Sequence, residues 1–381
     1  MFDRHDTCKA LGGFAGAIEC VLLDVAADPI DRHEFAGAIQ LIMDGLVAEL
    51  ARDRNAICYR VQLARNNGSS GAAIVKIPRT GPQRTNTDTT FAWEAGILAS
   101  LPAQGITGAP SFLGRVAAGG MHFLFMDEAP GKHPDPRTNP LDEHQLRSIL
   151  DHLYVMDRQG FMHYDLKFAN ILVKGERVAF IDFEFARFWD YRNVYAPLNE
   201  AFCEDFNVSS NPFFPARSNV ANFEFRALHR YLCDIAATQS NANLRLLDWL
   251  HGKSTYHRKM AGFFTELAET SVRHIALASV ITIDEARRRL CAAAAHESFL
   301  AGMFEQPHDS VARIERLLMA FRNAVFERQG IKAQKLRRTI QAEIRLDATH
   351  GEVMPLAYKQ AVARVLDLVG RSVHSCLRVV T

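Results

Sequence analysis

The hydrophobic period of this chain changes partway along, and the change limits the folds open to it. Between residues 46 and 78 apolar and polar residues alternate in short runs, "GLVAEL", "AICYRVQLA" and "AAIVKIP", the period of half-buried strands. The second and third runs are joined by "RNNGSSG", whose Asn-Gly and Ser-Gly pairs tolerate positive φ and predict a hairpin turn. A short helix is predicted over "FAWEAGILASL" (91–101), and a second hairpin over 114–129, broken at Gly119-Gly120. From about 141 the spacing becomes helical. Leu146, Ile149, Leu150 and Leu153 fall on one face, and Gly160 is suited to ending that helix. A strand pair, "NILV" and "VAFIDF", then encloses the turn "KGER". Past residue 200 nearly everything reads as helix, with Val311, Ile314, Leu317, Leu318, Phe321 and Val325 on one apolar face and Tyr358, Val362, Val365, Leu366 and Val369 on another. A strand-rich part followed by a helix-rich part predicts an α+β fold of two lobes, with a junction near 127–132.

Composition adds exclusions. At 381 residues the chain is long enough for a large core, and its 48% apolar and 23% charged residues are those of an ordinary soluble globular protein. A formal net charge of +1 creates no overall field that demands nucleic acid or an anionic membrane. The basic clusters "ARRR" (286–289) and "RQGIKAQKLRR" (328–338) lack interleaved aromatics and read as solvated helix faces. The longest apolar runs, such as "HIALASVITI", are too short to span a bilayer. The N-terminus carries early acidic residues and no signal-peptide core. Seven scattered cysteines without a CxxC pair fit reduced thiols, so a cytoplasmic protein is expected. The fifteen histidines show no HExxH or other metal spacing.

The chemistry concentrates in "HYDLKFANIL" (163–172) and the following "DFEFAR" (182–187). A lone Asp165 with Asn170 five residues on caps turns as readily as it does anything else. Paired with Asp182 at the end of an apolar strand, the set matches what phosphoryl transfer from ATP requires. Asp165 can accept the proton of an acceptor hydroxyl. Asn170 and Asp182 offer oxygens to magnesium, a hard cation that keeps part of its shell for phosphate and water.

At this point a family becomes visible. "FMHYDLKFANILVKGERVAFIDFEFAR" resembles the catalytic and metal-binding loops of the protein-kinase-like superfamily, H-x-D-x-x-x-x-N followed by D-F-G or a related triplet. The resemblance implies a bilobal kinase-like fold, with a small antiparallel-sheet N-lobe and a large, mostly helical C-lobe carrying a helical C-terminal extension. The corresponding boundaries are 1–45 for an N-terminal helical extension, 46–128 for the N-lobe, 129–270 for the C-lobe and 271–381 for the C-terminal extension. It implies Asp165 as catalytic aspartate, Asn170 and Asp182 as magnesium ligands, and His163 as a support for the loop. Lys76 in "AIVKIP" stands where the family holds the α- and β-phosphates, and Glu94 in "FAWEAGIL" where its ion-pair partner lies. "FLFMDEAPG" resembles the inter-lobe hinge, with Met126 at its entrance and Asp127, Glu128 and Ala129 offering backbone groups to adenine.

The departures are informative. The phosphate-covering loop has Ala51, Asp53 and Ala56 where the family carries glycines, which weakens a backbone cradle. Arg52 or Arg54 is the candidate replacement charge. Glycine-poor loops here, and the I-D-F-E run with Glu184, resemble the aminoglycoside phosphotransferase and choline kinase branch. Glu184 reads either as a ligand to a second metal or as a hydrogen-bond acceptor behind the ligands. Lys167, two residues after Asp165, resembles the lysine of Ser/Thr protein kinases that touches the transferred phosphate. "NVYAPLNEAF" lacks the A-P-E that anchors a peptide platform. Glu200, Glu204 and Asp205 are either a solvated face or a receiver for a cationic acceptor. The expected function is thus an ATP- and magnesium-dependent kinase acting on a small-molecule hydroxyl. A Ser/Thr protein kinase of effector type, a nucleotide-binding pseudokinase and a nucleotide transferase are the alternatives.

Overall fold

The computed structural model describes residues 7–9, 19–25, 30, 32–52, 56–65, 69–78, 87–119, 121–188, 219–238, 242–327, 329–349 and, with gaps, 354–367. It is a mixed α+β protein, an antiparallel sheet plus a mostly helical remainder. Backbone contacts divide it into two units, Met1–Gly131 with Ala179–Ala186, and Lys132–Val178 with Arg187–Thr381.

The first unit holds strands β1 (Thr7–Lys9), β2 (Glu19–Val25), β3 (Glu49–Arg52), β4 (Ala56–Ala64), β5 (Ser70–Pro78), β6 (Phe112–Ala118) and β7 (Met121–Asp127), and helices α1 (Arg32–Met43) and α2 (Thr87–Ser100). The strands form one sheet in the order β1-β2-β6-β7-β5-β4-β3. The alternation read in the sequence becomes its two faces. Val61, Leu63, Ala73, Val75, Ile77, Val116, Phe123 and Phe125 point into a core closed by Phe35, Ala38, Ile39 and Ile42 of α1. Phe35 meets Phe125 edge to face, with ring centroids 4.8 Å apart. Of residues 1–45, only Arg32–Met43 is helical among those described; the two N-terminal strands extend the sheet at its edge. The helical extension expected there is therefore only partly helical, because a short apolar run such as "ECVLLDV" has no period that separates strand from helix.

The second unit holds α3 (Glu143–Arg158), β8 (Phe161–Met162), β9 (Ile171–Lys174), β10 (Arg177–Phe180, at whose end the chain returns to the first unit) and β11 (Arg187–Phe188). Helices α4 (Asn219–Phe223), α5 (His229–Thr238), α6 (Ala242–Thr270), α7 (Val272–Ser279), α8 (Ile283–Glu305), α9 (Asp309–Phe326) and α10 (Gly330–Thr349) follow. Asp142 opens α3 with a capping box, accepting from the Gln145 N–H while the Gln145 side chain accepts from the Asp142 N–H. Helix α6 packs along α8 and against α3. Its Gly252 sits so close to α3 that an added Cβ would stand 2.5 Å from Leu150 Cδ1.

Between α4 and α5 one turn, Glu224–Leu228, is a π-helix. Glu224 is buried there and ringed by donors: Trp249 Nε1 at 2.8 Å, Lys253 Nζ at 2.9 Å and Arg322 Nη1 at 3.9 Å. Burial pushes its carboxyl up, but Lys253, His229 and Arg322 together outweigh that and lower it to about 2. A carboxyl lowered in the folded state contributes stability above its ordinary range and loses it as pH falls through the folded value. Glu224→Gln is therefore expected to destabilise the protein by about 3–5 kcal/mol at neutral pH, because two buried cations lose their counter-charge. Urea unfolding followed by circular dichroism measures this, and the gap between variant and wild type should close between about pH 4.5 and pH 2.

Candidate active site

In the sheet unit the site begins with the alternation of β5. Val75 and Ile77 face the core, which sends Lys76 to the opposite face, where its side chain is nonetheless 5% exposed. A buried ammonium requires anionic partners. Lys76 Nζ donates to Glu94 Oε2 of α2 at 2.9 Å and to Asp182 Oδ1 at 2.7 Å. The other oxygen of Glu94 accepts the Phe183 N–H at 3.1 Å, so one carboxylate holds both the lysine and the residue after Asp182. Burial by itself would lower Lys76, but Glu94, Asp182 and Glu184 reverse this and hold it well above the ordinary lysine range. Glu184 is itself buried. Burial at the same time raises the Glu94 carboxyl, against the opposing pull of Lys76. Asp182 adopts φ 68°, a left-handed conformation that Asp and Asn accept more readily than most residues. Trp93 Nε1 donates to the Ala186 carbonyl at 2.8 Å and pins the far end of this segment.

At the end of β7, Met126 is buried and lies opposite Ile74 in the sheet. The Asp127 N–H is already bonded to the Ser111 carbonyl at 2.9 Å and the Glu128 N–H to the Ala72 carbonyl at 3.1 Å. Of the three residues expected to offer backbone groups to adenine, Asp127 and Glu128 thus already have their N–H groups bonded to Ser111 and Ala72. Their side chains are also engaged: Asp127 with Arg65, and Glu128 with Arg60 in a two-pronged pair at 2.8 and 2.9 Å. Ala129 follows, partly buried. Arg52, the candidate replacement charge of the glycine-poor loop, pairs with Glu49 of its own strand at 2.8 Å through Nε. Arg54, Glu200, Glu204, Asp205 and the stretch 193–202 lie outside the described residues.

In the helical unit, β8 pairs with β11 and delivers the chain into a buried loop. His163 and Asp165 are 0% and 3% exposed. Asp165 Oδ2 accepts Lys167 Nζ at 2.8 Å and Asn170 Nδ2 at 2.9 Å. Asn170 Nδ2 also donates to the Asp165 carbonyl at 3.0 Å. The amide therefore turns its nitrogen to Asp165 and its oxygen the other way, the orientation a cation ligand needs. The expected trio Asp165, Lys167 and Asn170 is one cluster. The His163 ring accepts the Asp165 N–H through Nδ1 at 3.4 Å, and Tyr164 between them has φ 63°.

Sequence reasoning did not find what holds this loop. Asn219 Oδ1 of α4 accepts the His163 N–H at 3.0 Å, and Asn222 Oδ1, one turn on, accepts the Leu166 N–H at 3.3 Å. Both asparagines are fully buried. Behind Asn219 lies Asp157 of α3, which accepts from the Asn219 N–H and Nδ2 at 2.8 Å each and from the Tyr256 hydroxyl at 2.9 Å. Two asparagines three apart in "NVANFEF" are the only trace in the sequence.

Among the described residues, no three His, Cys, Asp or Glu side chains gather as a ready metal cage. Asn170 in the helical unit offers an amide oxygen and Asp182 in the sheet unit a carboxylate, each a ligand type that magnesium accepts. No protein-family model matches the chain, and a search of curated proteins finds no match either.

Burial pushes the Asp157 carboxyl up to about 7, against the hydrogen bonds from Asn219 and Tyr256. A carboxyl raised by folding contributes stability below its unfolded value and loses it as pH rises through the folded one. Thermal unfolding is expected to shift to lower temperature as pH rises from about 4 to about 7, and this component of the slope should vanish in Asp157→Asn.

Proposed function

We propose that this protein is an ATP- and magnesium-dependent phosphotransferase of bilobal, protein-kinase-like build that moves the γ-phosphate to a hydroxyl of a small-molecule acceptor. The observation that carries the reading is the buried ammonium of Lys76 shared by Glu94 and Asp182. A strand lysine buried with two carboxylates from distant parts of the chain is costly unless the charges serve a ligand. A triphosphate with its cation is a ligand that complements one ammonium and an excess of carboxylates.

In this reading Lys76, kept charged and immobile by Glu94, holds the triphosphate oxygens. Asp182 and the outward oxygen of Asn170 would hold magnesium, which when bound neutralises the charge of the phosphates. The reading requires both residues to serve one nucleotide. Asp165 orients the acceptor hydroxyl and takes its proton as the oxygen attacks in line. Lys167 supplies positive charge beside that carboxylate and offers a donor to the phosphoryl group in transit. With the Asp127 and Glu128 amides bonded within the sheet, adenine is left the Ala129 amide and the carbonyls of this segment. Buried Met126 supplies apolar surface.

A second reading keeps the same reaction but a protein hydroxyl as acceptor. Lys167, placed on Asp165 at 2.8 Å, favours it.

ATP turnover by the purified protein with magnesium, against amines, amino sugars and generic protein substrates, tests the proposal. Stimulation by one small molecule is expected. Asp165→Ala should lower kcat by about a hundredfold to ten-thousandfold, Asp182→Ala should abolish metal-dependent turnover, and Glu184→Gly should retain part of it. Full activity in Asp182→Ala would remove the metal assignment, and label on protein alone would favour the second reading.

A further inference from the structure

The loop that carries Asp165 contains a residue in the left-handed region, Tyr164 at φ 63°, where a bulky side chain is strained. Such a loop keeps its shape only while its surroundings hold it. Two holds come from α4 through Asn219 and Asn222. The terminal amide of Asn219 can be turned either way, and its surroundings decide which. As it stands, Oδ1 faces the His163 N–H at 3.0 Å, and Nδ2 faces Asp157 Oδ1 at 2.8 Å and the Phe161 carbonyl at 2.6 Å. Turned over, it would set an N–H against an N–H and an oxygen against two oxygens, all out of reach of water, since Asn219 is 0% exposed.

Asp157 tips that choice and also fixes where Asn219 stands, because the same Oδ1 accepts the Asn219 backbone N–H at 2.8 Å. Oδ2 in turn accepts the Tyr256 hydroxyl at 2.9 Å. The chain of bonds runs from α6 through α3 and α4 to the amide two residues before Asp165.

We propose that Asp157, oriented by Tyr256, is a positioning residue for the reaction: through Asn219 it sets the loop geometry that aims Asp165. The inference rests on the phosphotransfer reading for its effect on rate, but not for its effect on the loop. Asp157 touches neither nucleotide nor acceptor in this account, and it acts through the start of α4, where it holds Asn219.

The test measures hydrogen–deuterium exchange of the 161–167 segment alongside ATP turnover, both at pH 8, above the Asp157 value of about 7. Asp157→Ala is expected to speed exchange of the His163 amide by about tenfold or more, as local opening becomes easier. It should lower kcat by about ten- to a hundredfold with KM for ATP unchanged, since a misplaced base costs rate and not nucleotide binding. Asp157→Asn, which keeps an acceptor oxygen for Asn219, should restore most of both. Should Asp157→Ala fail to fold, Tyr256→Phe, which removes one donor and keeps the ring, should show the same two changes at smaller size. Unchanged exchange over 161–167 in the folded variant, or equal losses in Asp157→Ala and Asp157→Asn, overturns the proposal. If the wild type turns over no ATP, the phosphotransfer reading fails while the exchange result still decides whether Asp157 sets the loop.

Discussion

An ammonium group removed from water must be met by negative charge, and the interior of the sheet unit is organised around that demand at Lys76. Strand β5 sends the lysine away from the apolar core, α2 brings Glu94 to it, and the 182–186 segment brings Asp182 and Glu184. Glu94 is the hub, because its second oxygen fixes the Phe183 amide. Removing either partner would strand a buried charge, so α2, β5 and the 182–186 segment are bound to one another by electrostatics as much as by packing. The same arrangement gathers more carboxylate than one ammonium balances, and the proposed reading assigns that excess to a metal ion.

The helical unit meets a different constraint, that of holding a buried polar loop whose backbone is not in regular structure. Its amides need acceptors, and α4 supplies them from two asparagines rather than from one carboxylate. Neutral amides bond the loop without placing a competing negative charge beside Asp165. The carboxylate that steadies Asn219, Asp157, lies behind it on α3. From Tyr256 through Asp157 to Asn219 the side-chain polar atoms are paired, which makes that stretch rigid. The π turn at Glu224, with Trp249, Lys253 and Arg322 around it, ties α4 and α5 to α6 and α9 beneath the asparagines.

Much of this was legible in the sequence because it rests on periodicity and order. The strands of 56–78 and 112–127, helix α3 and the hairpin of β9 and β10 fall where alternation and turn residues indicate. The Lys76–Glu94 pair followed from a family's spacing, and the two side chains do meet. The rest depended on contacts that no local pattern encodes. Asn219 lies 56 residues from His163 and 62 from Asp157, and nothing about an asparagine in a helix announces that it serves a distant loop. Nothing in the residues around Glu224 marks it as the meeting point of buried cations. Arg52 looked available, but Glu49 three residues earlier takes its charge, a local pairing that charge patterning could have shown. The amides of Asp127 and Glu128 illustrate the converse, since sequence gives no hint of which backbone groups a sheet will use for itself.

Two of the three non-glycine residues in the left-handed region among those described make a pair of opposites. At Asp182 the backbone and the chemistry choose the same amino acid: φ 68° suits Gly, Asn and Asp, and of these only Asp brings the charge that Lys76 needs. Such a position can drift to few alternatives without losing one requirement or the other. At Tyr164 the two disagree, because φ 63° would be easier for Gly, Asn or Asp. A tyrosine there marks a place where conformational comfort has been surrendered, and where a change to Gly or Asn would make the backbone easier while weakening whatever the ring contributes.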